Sequence, residues 1–306
     1  MHYSVMKQEV IENLNLKKAG IYVDGTIGLA GHSSEILKNI PEGHLYGFDQ
    51  DEFAINKSRE KLGEIGNNFT LIHDNFSNLS ERLNELGVFK VDGILLDLGV
   101  SSPQIDNKER GFSFMNDALL DMRMDTRNSL TAKDVVNQYS FEDLVDIFYK
   151  YGEEKYSKFI AKNIVSYRKN KSIDTTLELV NIIKSSVPVK YFITNHPERQ
   201  IFQAIRIEVN KELECLENVL PDAINMLNIG GRLVVITFHS LEDRIVKKIF
   251  KKYSEIDDKV KGLPYIPKGY EPLIKLVNNK VITATEEEIN ENSRSKSAKI
   301  RVIERI

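Results

Sequence analysis

IYVDGTIGLAGHSSEILKNI, residues 21–40, passes from an apolar run through a glycine-bearing turn into a helical pattern. IYVDG at 21–25 reads as a buried strand ending in a glycine turn, and HSSEILKNI at 32–40 as a short helix. The same alternation continues downstream. LYGFD at 45–49, FTLIH at 69–73 and GILLDLG at 93–99 read as strands, and 51–62 and 77–87 as the helices between them. Strands spaced by helices of about ten residues imply βαβ units, right-handed crossovers and a mostly parallel sheet. The near-continuous apolar character of 94–96 predicts a central strand covered on both faces.

The alternation stops near Ser101 and resumes near Asn210. Between them, 140–152, 155–169 and 175–187 carry helical apolar stripes, the last ended by Pro188, and no comparable strand occurs. A helical pattern then runs to the glycine pair 230–231, RLVVITFH at 232–239 is a strand, and a helix capped at Ser240 follows. The stretch 261–270 reads as a loop. Segments 272–277 and 299–306 read as closing strands, separated by a helical turn with a Thr285-x-x-Glu288 capping box. An all-helical insertion therefore interrupts an α/β domain. The expected division is 1–108 and 211–306 for the sheet domain and 109–210 for the insertion.

The composition of the 306 residues (28% charged, 41% hydrophobic, 17 Gly, 8 Pro) excludes wholesale disorder, a collagen-like repeat and a membrane-spanning bundle. Cys215 is the one cysteine, so neither an internal disulfide nor a thiolate zinc site is expected, and a cytoplasmic protein is the natural reading. MHYSVMKQEV shows no secretory signal, and no apolar run approaches the ~20 residues that span a bilayer. A net charge of −3 argues weakly against a protein that coats nucleic acid, but local basic stretches exist at 150–171 and 293–305. Solvated helix faces yield similar stretches.

The turn from Asp24 to His32 lies between a strand and a helix, where backbone amides can face a ligand. It is neither a P-loop nor G-x-G-x-x-G. Asp49 ends the second strand, where a carboxylate can bond ribose hydroxyls. Together these suggest a nucleoside-cofactor pocket, for a dinucleotide or for S-adenosylmethionine; a mere tight βα turn, with Asp49 as a helix cap, is the alternative. Asp97 leads the fourth strand into Gly99, Ser101, Ser102, Pro103 and Gln104. Short acceptors there suit methyl transfer to an exocyclic base amine, whose N–H bonds must be held while its lone pair is freed. An Asp capping the next turn is the alternative. His32 and His239 are placed at the crevice edge, His44 at the surface and His73 on a backbone hydrogen bond. Cys215 is expected to be packed. No metal site is expected, and the absence of G-x-S-x-G argues against a Ser-His-Asp hydrolase.

Taken together, HYSV at 2–5, DGTIGLAGHS at 24–33, DGILLDLGVSSPQID at 92–106, ERGFSFMNDALLDMRMD at 109–125, YGEEKYSKFIAKNIV at 151–165, FQAIRIEVNKELE at 202–214, GGRLVVITFHSLEDRIVK at 230–247 and NSRSKSAKIRVIE at 292–304 resemble the bacterial ribosomal small-subunit RNA methyltransferase H family, also called MraW. The resemblance implies a Rossmann-like class I S-adenosylmethionine-dependent methyltransferase sheet. It implies transfer to N4 of a cytidine in the decoding region of 16S rRNA, acting on the small subunit or a late assembly intermediate. Asp24, Ala30, Gly31, His32, Asp49, Phe76, Asp97 and Gln104 would hold the cofactor. Asp97, Ser101 and His239 form the candidate catalytic set. Arg110 and Arg123 would contact phosphate, Phe112 and Phe114 would stack on the target or pack in the core, and Ser240 would face the base. Two departures stand out: Ala30 where the family carries glycine, and Asp74 after the third strand. A monomer or weak homodimer with no membrane partner is expected.

Rival readings are methylation of DNA cytosine or a protein amide, a non-catalytic RNA-binding assembly factor, and a nicotinamide dehydrogenase. Glycine spacing disfavours the last.

Overall fold

The computed structural model describes residues 4–257, 259–278 and 280–306; His2 and Tyr3 of the family-like amino-terminal segment lie outside them. The chain divides into two compact units, residues 1–99 with 213–306, and residues 100–212.

The first unit is built on one sheet. Its parallel strands are β1 (Ile21–Asp24), β2 (His44–Asp49), β3 (Phe69–His73), β4 (Val91–Asp97) and β5 (Leu227–Thr237). β6 (Ile274–Leu276), β7 (Ile282–Thr283) and β8 (Lys299–Arg305) close it. The order is β3-β2-β1-β4-β5-β8-β6, with β8 antiparallel to β5 and β7 paired to β8. The order reverses between β1 and β4, which places a crevice at the carboxyl ends of those strands. α1 (Lys7–Leu14), α2 (Gly31–Asn39) and α3 (Glu52–Gly63) contribute to one apolar layer with Leu95, Val234 and Ile236. α4 (Leu79–Glu85), and later α12 (Glu212–Met226) and α13 (Ser240–Ser254), pack on the other with Ile94, Leu96, Leu233 and Val235. The two-residue alternation along β4 and β5 sends neighbouring side chains to opposite layers, so both faces are dry and the strands are apolar throughout.

Two sequence expectations change here. α12 ends at Met226 and β5 begins at Leu227, before the glycine pair. Val91 pairs with Leu227 but Gly93 pairs with Arg232, so 228–231 bulge out of the ladder, with Gly230 at φ 79°. The cap of α13 is His239 rather than Ser240. α14 (Glu286–Glu291) forms behind Thr285, which accepts from the Glu288 amide at 3.2 Å. Glu288 Oε1 then accepts from the Met6 amide (2.9 Å) and the buried Ser295 hydroxyl (2.6 Å), tying the start of the chain to its end.

The second unit is helical: α5 (Ser102–Asp106), α6 (Ala132–Gln138), α7 (Phe141–Lys150), α8 (Ser157–Tyr167), α9 (Thr176–Ser185), α10 (Val189–Asn195) and α11 (Pro197–Asn210). Its own core includes Val135, Leu144, Phe148, Ile160, Ile164, Leu179, Ile183, Ile201 and Ile205. Buried Asn210 staples the long irregular segment to α11. Its amide donates to Met122 O (2.8 Å) and its carbonyl accepts from the Met124 amide (2.8 Å). No helix among the described residues is long and apolar enough to cross a membrane.

Candidate active site

Asp24, at the end of β1, is 1% exposed; its Oδ2 accepts from Ser33 Oγ (2.6 Å) and its Oδ1 from the Thr26 amide (3.1 Å). Burial raises its pKa, opposed by the Ser33 bond. The carboxylate thus closes the turn from β1 into α2. Gly28 and Ala30 both take left-handed backbone, at φ 51° and 53°. Ala30 bears the strain of that conformation, its methyl is fully buried, and its amide donates back to Ile27 O at 2.7 Å. Gly31 lies against Ser4: a Cβ there would meet Ser4 Oγ at 1.8 Å, and that hydroxyl would have to turn aside.

Asp49 ends β2 with Oδ2 on the Gly28 amide and Oδ1 on the Asp51 amide, both 2.9 Å. Asp51, not Asp49, caps α3. Each Asp49 oxygen retains acceptor capacity. Burial pushes its pKa up to about 7 despite the two backbone donors. Phe76 follows β3 in a short turn and is half-buried against the sheet core. Asp74 anchors that turn, accepting from Asn75 N (2.7 Å), Asn78 Nδ2 (2.9 Å) and Arg82 Nε (2.6 Å), and the Arg82 bond helps hold its pKa low.

Asp97, at the end of β4, donates its backbone amide to Thr26 Oγ1 at 2.7 Å. Its Oδ2 lies 3.5 Å from His32 Nε2, while its Oδ1 is buried without a hydrogen-bond partner. His32, second residue of α2, is 5% exposed, and neither ring nitrogen makes a well-formed hydrogen bond. A buried polar atom without a partner costs about 1–3 kcal/mol. Asp97 and His32 could therefore take a polar ligand. With Asp24 and Asp49 they make the crevice acidic, which suits a cationic sulfonium cofactor with ribose hydroxyls and an ammonium group.

His239, expected at the crevice edge, caps α13, and its buried Nε2 makes no well-formed hydrogen bond. Its Nδ1 faces the Glu242 amide at 3.5 Å, its Nε2 lies 3.1 Å from Glu242 Oε1, and Glu242 Oε2 accepts from the Phe238 amide at 2.7 Å. Ser240 is the exposed first residue of that helix. Thr26, Ser33 and Glu242 escaped the sequence reading. The His239-x-x-Glu242 spacing of a capping box was the signal for the last.

Within the helical unit, Ser101 precedes α5 and its amide donates to Gln104 Oε1 (3.0 Å), so these two residues form a helix start. The two arginines expected to contact phosphate are bonded to groups of their own unit. Arg110 Nη2 donates to Arg123 O (2.8 Å) and Met124 O (3.2 Å). Arg123 bonds Asp121 through Nε (2.8 Å) and Nη2 (2.7 Å), and Nη1 reaches Thr126 O and Asn128 O. Both guanidinium groups brace the 121–128 segment. Phe112 and Phe114 pack against the helical core, Phe114 edge-on to Phe202 at 5.8 Å. His73 reaches Gln50 O at 3.2 Å, His44 reaches Thr70 Oγ1 at 2.9 Å, and Cys215 is half-buried. Among the described residues no His, Cys, Asp or Glu group is arranged to hold a metal.

The sheet order with its reversed strand, the glycine turn and the strand-end carboxylates define a class I S-adenosylmethionine-dependent methyltransferase with an inserted helical domain. The MraW methylase family model matches residues 1–306, and the chain belongs to that family. Among solved structures, an rRNA methylase from Streptococcus thermophilus shares 11% identity over 98% of this chain and 93% of that one, with a TM-score of 0.45. A methyltransferase homolog protein from Pyrococcus horikoshii shares 14% over 96% and 64%, with a TM-score of 0.43. Likenesses this distant bear on neither substrate nor mechanism.

Proposed function

We propose that the protein transfers the methyl group of S-adenosylmethionine to N4 of a specific cytidine in the decoding region of 16S rRNA. Membership of the MraW methylase family over residues 1–306 carries the reading, and the open acceptor of Asp97 supports it at the level of chemistry. The bound cofactor supplies a methyl group on a cationic sulfur. Asp49 accepts the ribose hydroxyls, Phe76 packs against the adenine, and the Asp24 turn shapes the methionine side. The Asp97 carboxylate accepts an N–H of the target amine, localises the nitrogen lone pair for in-line attack, and receives the proton released as the N–C bond forms and the methyl–sulfur bond breaks. His32 beside Oδ2 keeps that carboxylate aimed. Ser101 and Gln104 contribute by fixing the chain that follows Asp97, and Ser240 by starting α13. The helical unit serves as the RNA-recognition domain. A cytosine N4 engaged in pairing must be unpaired or flipped before it can react.

The test is incubation of unmethylated small subunits, their free rRNA and assembly intermediates with labelled S-adenosylmethionine, followed by nucleoside analysis. Label in N4-methylcytidine is expected. Label on DNA or on a protein amide would transfer the reading to those acceptors, and no label on any RNA form would remove it.

A further inference from the structure

One face of α8 is unused by the chemistry above. From Lys155 to Lys171 the chain has six Lys or Arg and no Asp or Glu. Ser157, Ile160, Ala161 and Ile164 point into the helical core, which leaves Lys158, Phe159 and Lys162 outward, with Phe159 61% exposed. Phe159 is not isolated. Its ring centroid lies 6.1 Å from that of Tyr156, which lies 4.6 Å from that of Tyr191 on α10. Lys155 Nζ sits 5.2 Å and 4.4 Å from the centroids of those two tyrosines.

A buried carboxylate holds the Tyr191 ring and the backbone of Tyr156. Glu154 is fully buried, accepts from the Tyr191 hydroxyl at 3.0 Å, and accepts from the Tyr156 amide at 2.7 Å. Burying a carboxylate is costly even when it is hydrogen-bonded. A solvated helix face accounts for lysines, but it does not need an inner carboxylate anchoring one tyrosine ring and the backbone of the next tyrosine beside an uncovered phenylalanine. Rigid rings with cations around them are what stacked bases and their phosphates require.

We propose that Phe159, Tyr156 and Tyr191, flanked by Lys155, Lys158 and Lys162, form a stacking platform for a single-stranded RNA segment. The proposal rests on the RNA reading above and adds the form of RNA and the residues that grip it. Duplex RNA keeps its base faces stacked inside the helix and offers this platform only backbone.

The test uses the full chain and a fluorescently labelled, unstructured 12-nucleotide RNA, with the duplex of the same sequence as comparison, read by anisotropy over a salt series. Phe159→Leu keeps an apolar side chain and removes the ring; it is expected to weaken single-strand binding about 5- to 100-fold, while Phe159→Trp restores it. Lys158→Glu with Lys162→Glu is expected to lower the salt slope by about 1.4, the share of two phosphates on a single strand. S-adenosylhomocysteine affinity is expected to stay unchanged in all three. Single-strand binding by Phe159→Leu equal to wild type, or equal affinity for single strand and duplex, overturns the platform. Wild type that grips the strand through Phe159 but leaves subunits unmethylated overturns the acceptor reading alone.

Discussion

Asp97 is tethered through its backbone to Thr26, and its buried Oδ1 has no hydrogen-bond partner, so removing its carboxyl should disturb chemistry more than folding. Asp97→Ala is expected to retain a native circular dichroism spectrum and to lose about 10²–10³-fold in kcat. Full activity on the RNA substrate would sink the assignment. Asp49 makes a pH prediction. Ribose hydroxyls donate to its ionised form, and its pKa is pushed up to about 7. Cofactor affinity should therefore rise between pH 6 and pH 8, and calorimetry should find the rise absent in Asp49→Asn. The same raised pKa favours the folded state below about pH 4, its ordinary range, and that contribution is lost as pH climbs through about 7. Asp49 and Asp97 were legible because a residue ending a parallel strand must stand at the crevice. The engagements of Arg110 and Arg123 were not, because carbonyls that accept from a guanidinium carry no sequence signature.

The β1–α2 turn shows how an element can satisfy a motif by an unexpected route. Its glycine at 31 makes room for Ser4 rather than only for a ligand. Gly31→Ala should destabilise the protein by about 1–3 kcal/mol through overpacking. Ser4→Gly removes the colliding side chain, so the double variant should recover most of the loss in urea unfolding. A double variant as weak as Gly31→Ala would locate the strain in the turn itself. Ala30→Gly is nearly neutral by contrast. Relief of left-handed strain, about 1 kcal/mol, is offset by loss of a buried methyl worth about 0.8 kcal/mol. The cap of α13 falls one residue before Ser240 because a histidine is an unusual cap, and only the buried Glu242 behind it makes it one.

The two units carry separate apolar cores, one layer on each face of the sheet and one inside the helices. Phe148 is fully buried in the helical core, and Phe148→Ala should cost about 3–5 kcal/mol. Hydrogen exchange should then quicken across 132–210 while amides of β4 keep their protection. Uniform loss across both units would show that the cores unfold together. The helical unit spans residues 100–212, whereas periodicity suggested 109–210, because α5 is too short to show a helical stripe and the segment after it has neither period.

The alternation of strand and helix, the covered central strands and the acidic crevice follow from the sequence by itself. Period, strand direction and the residue at each strand end are local properties, and a parallel sheet converts them directly into position. Only the tertiary structure decided which polar groups stay open. Asp97 meets Thr26 across 71 residues, Asn210 reaches Met124 across 86, and Met6 binds Glu288 across 282. Hydrogen bonds between segments so far apart depend on packing in three dimensions. That packing engages Arg110 with backbone carbonyls and Arg123 with Asp121, and it leaves Asp97, His32 and His239 each with a buried polar atom lacking a well-formed hydrogen bond.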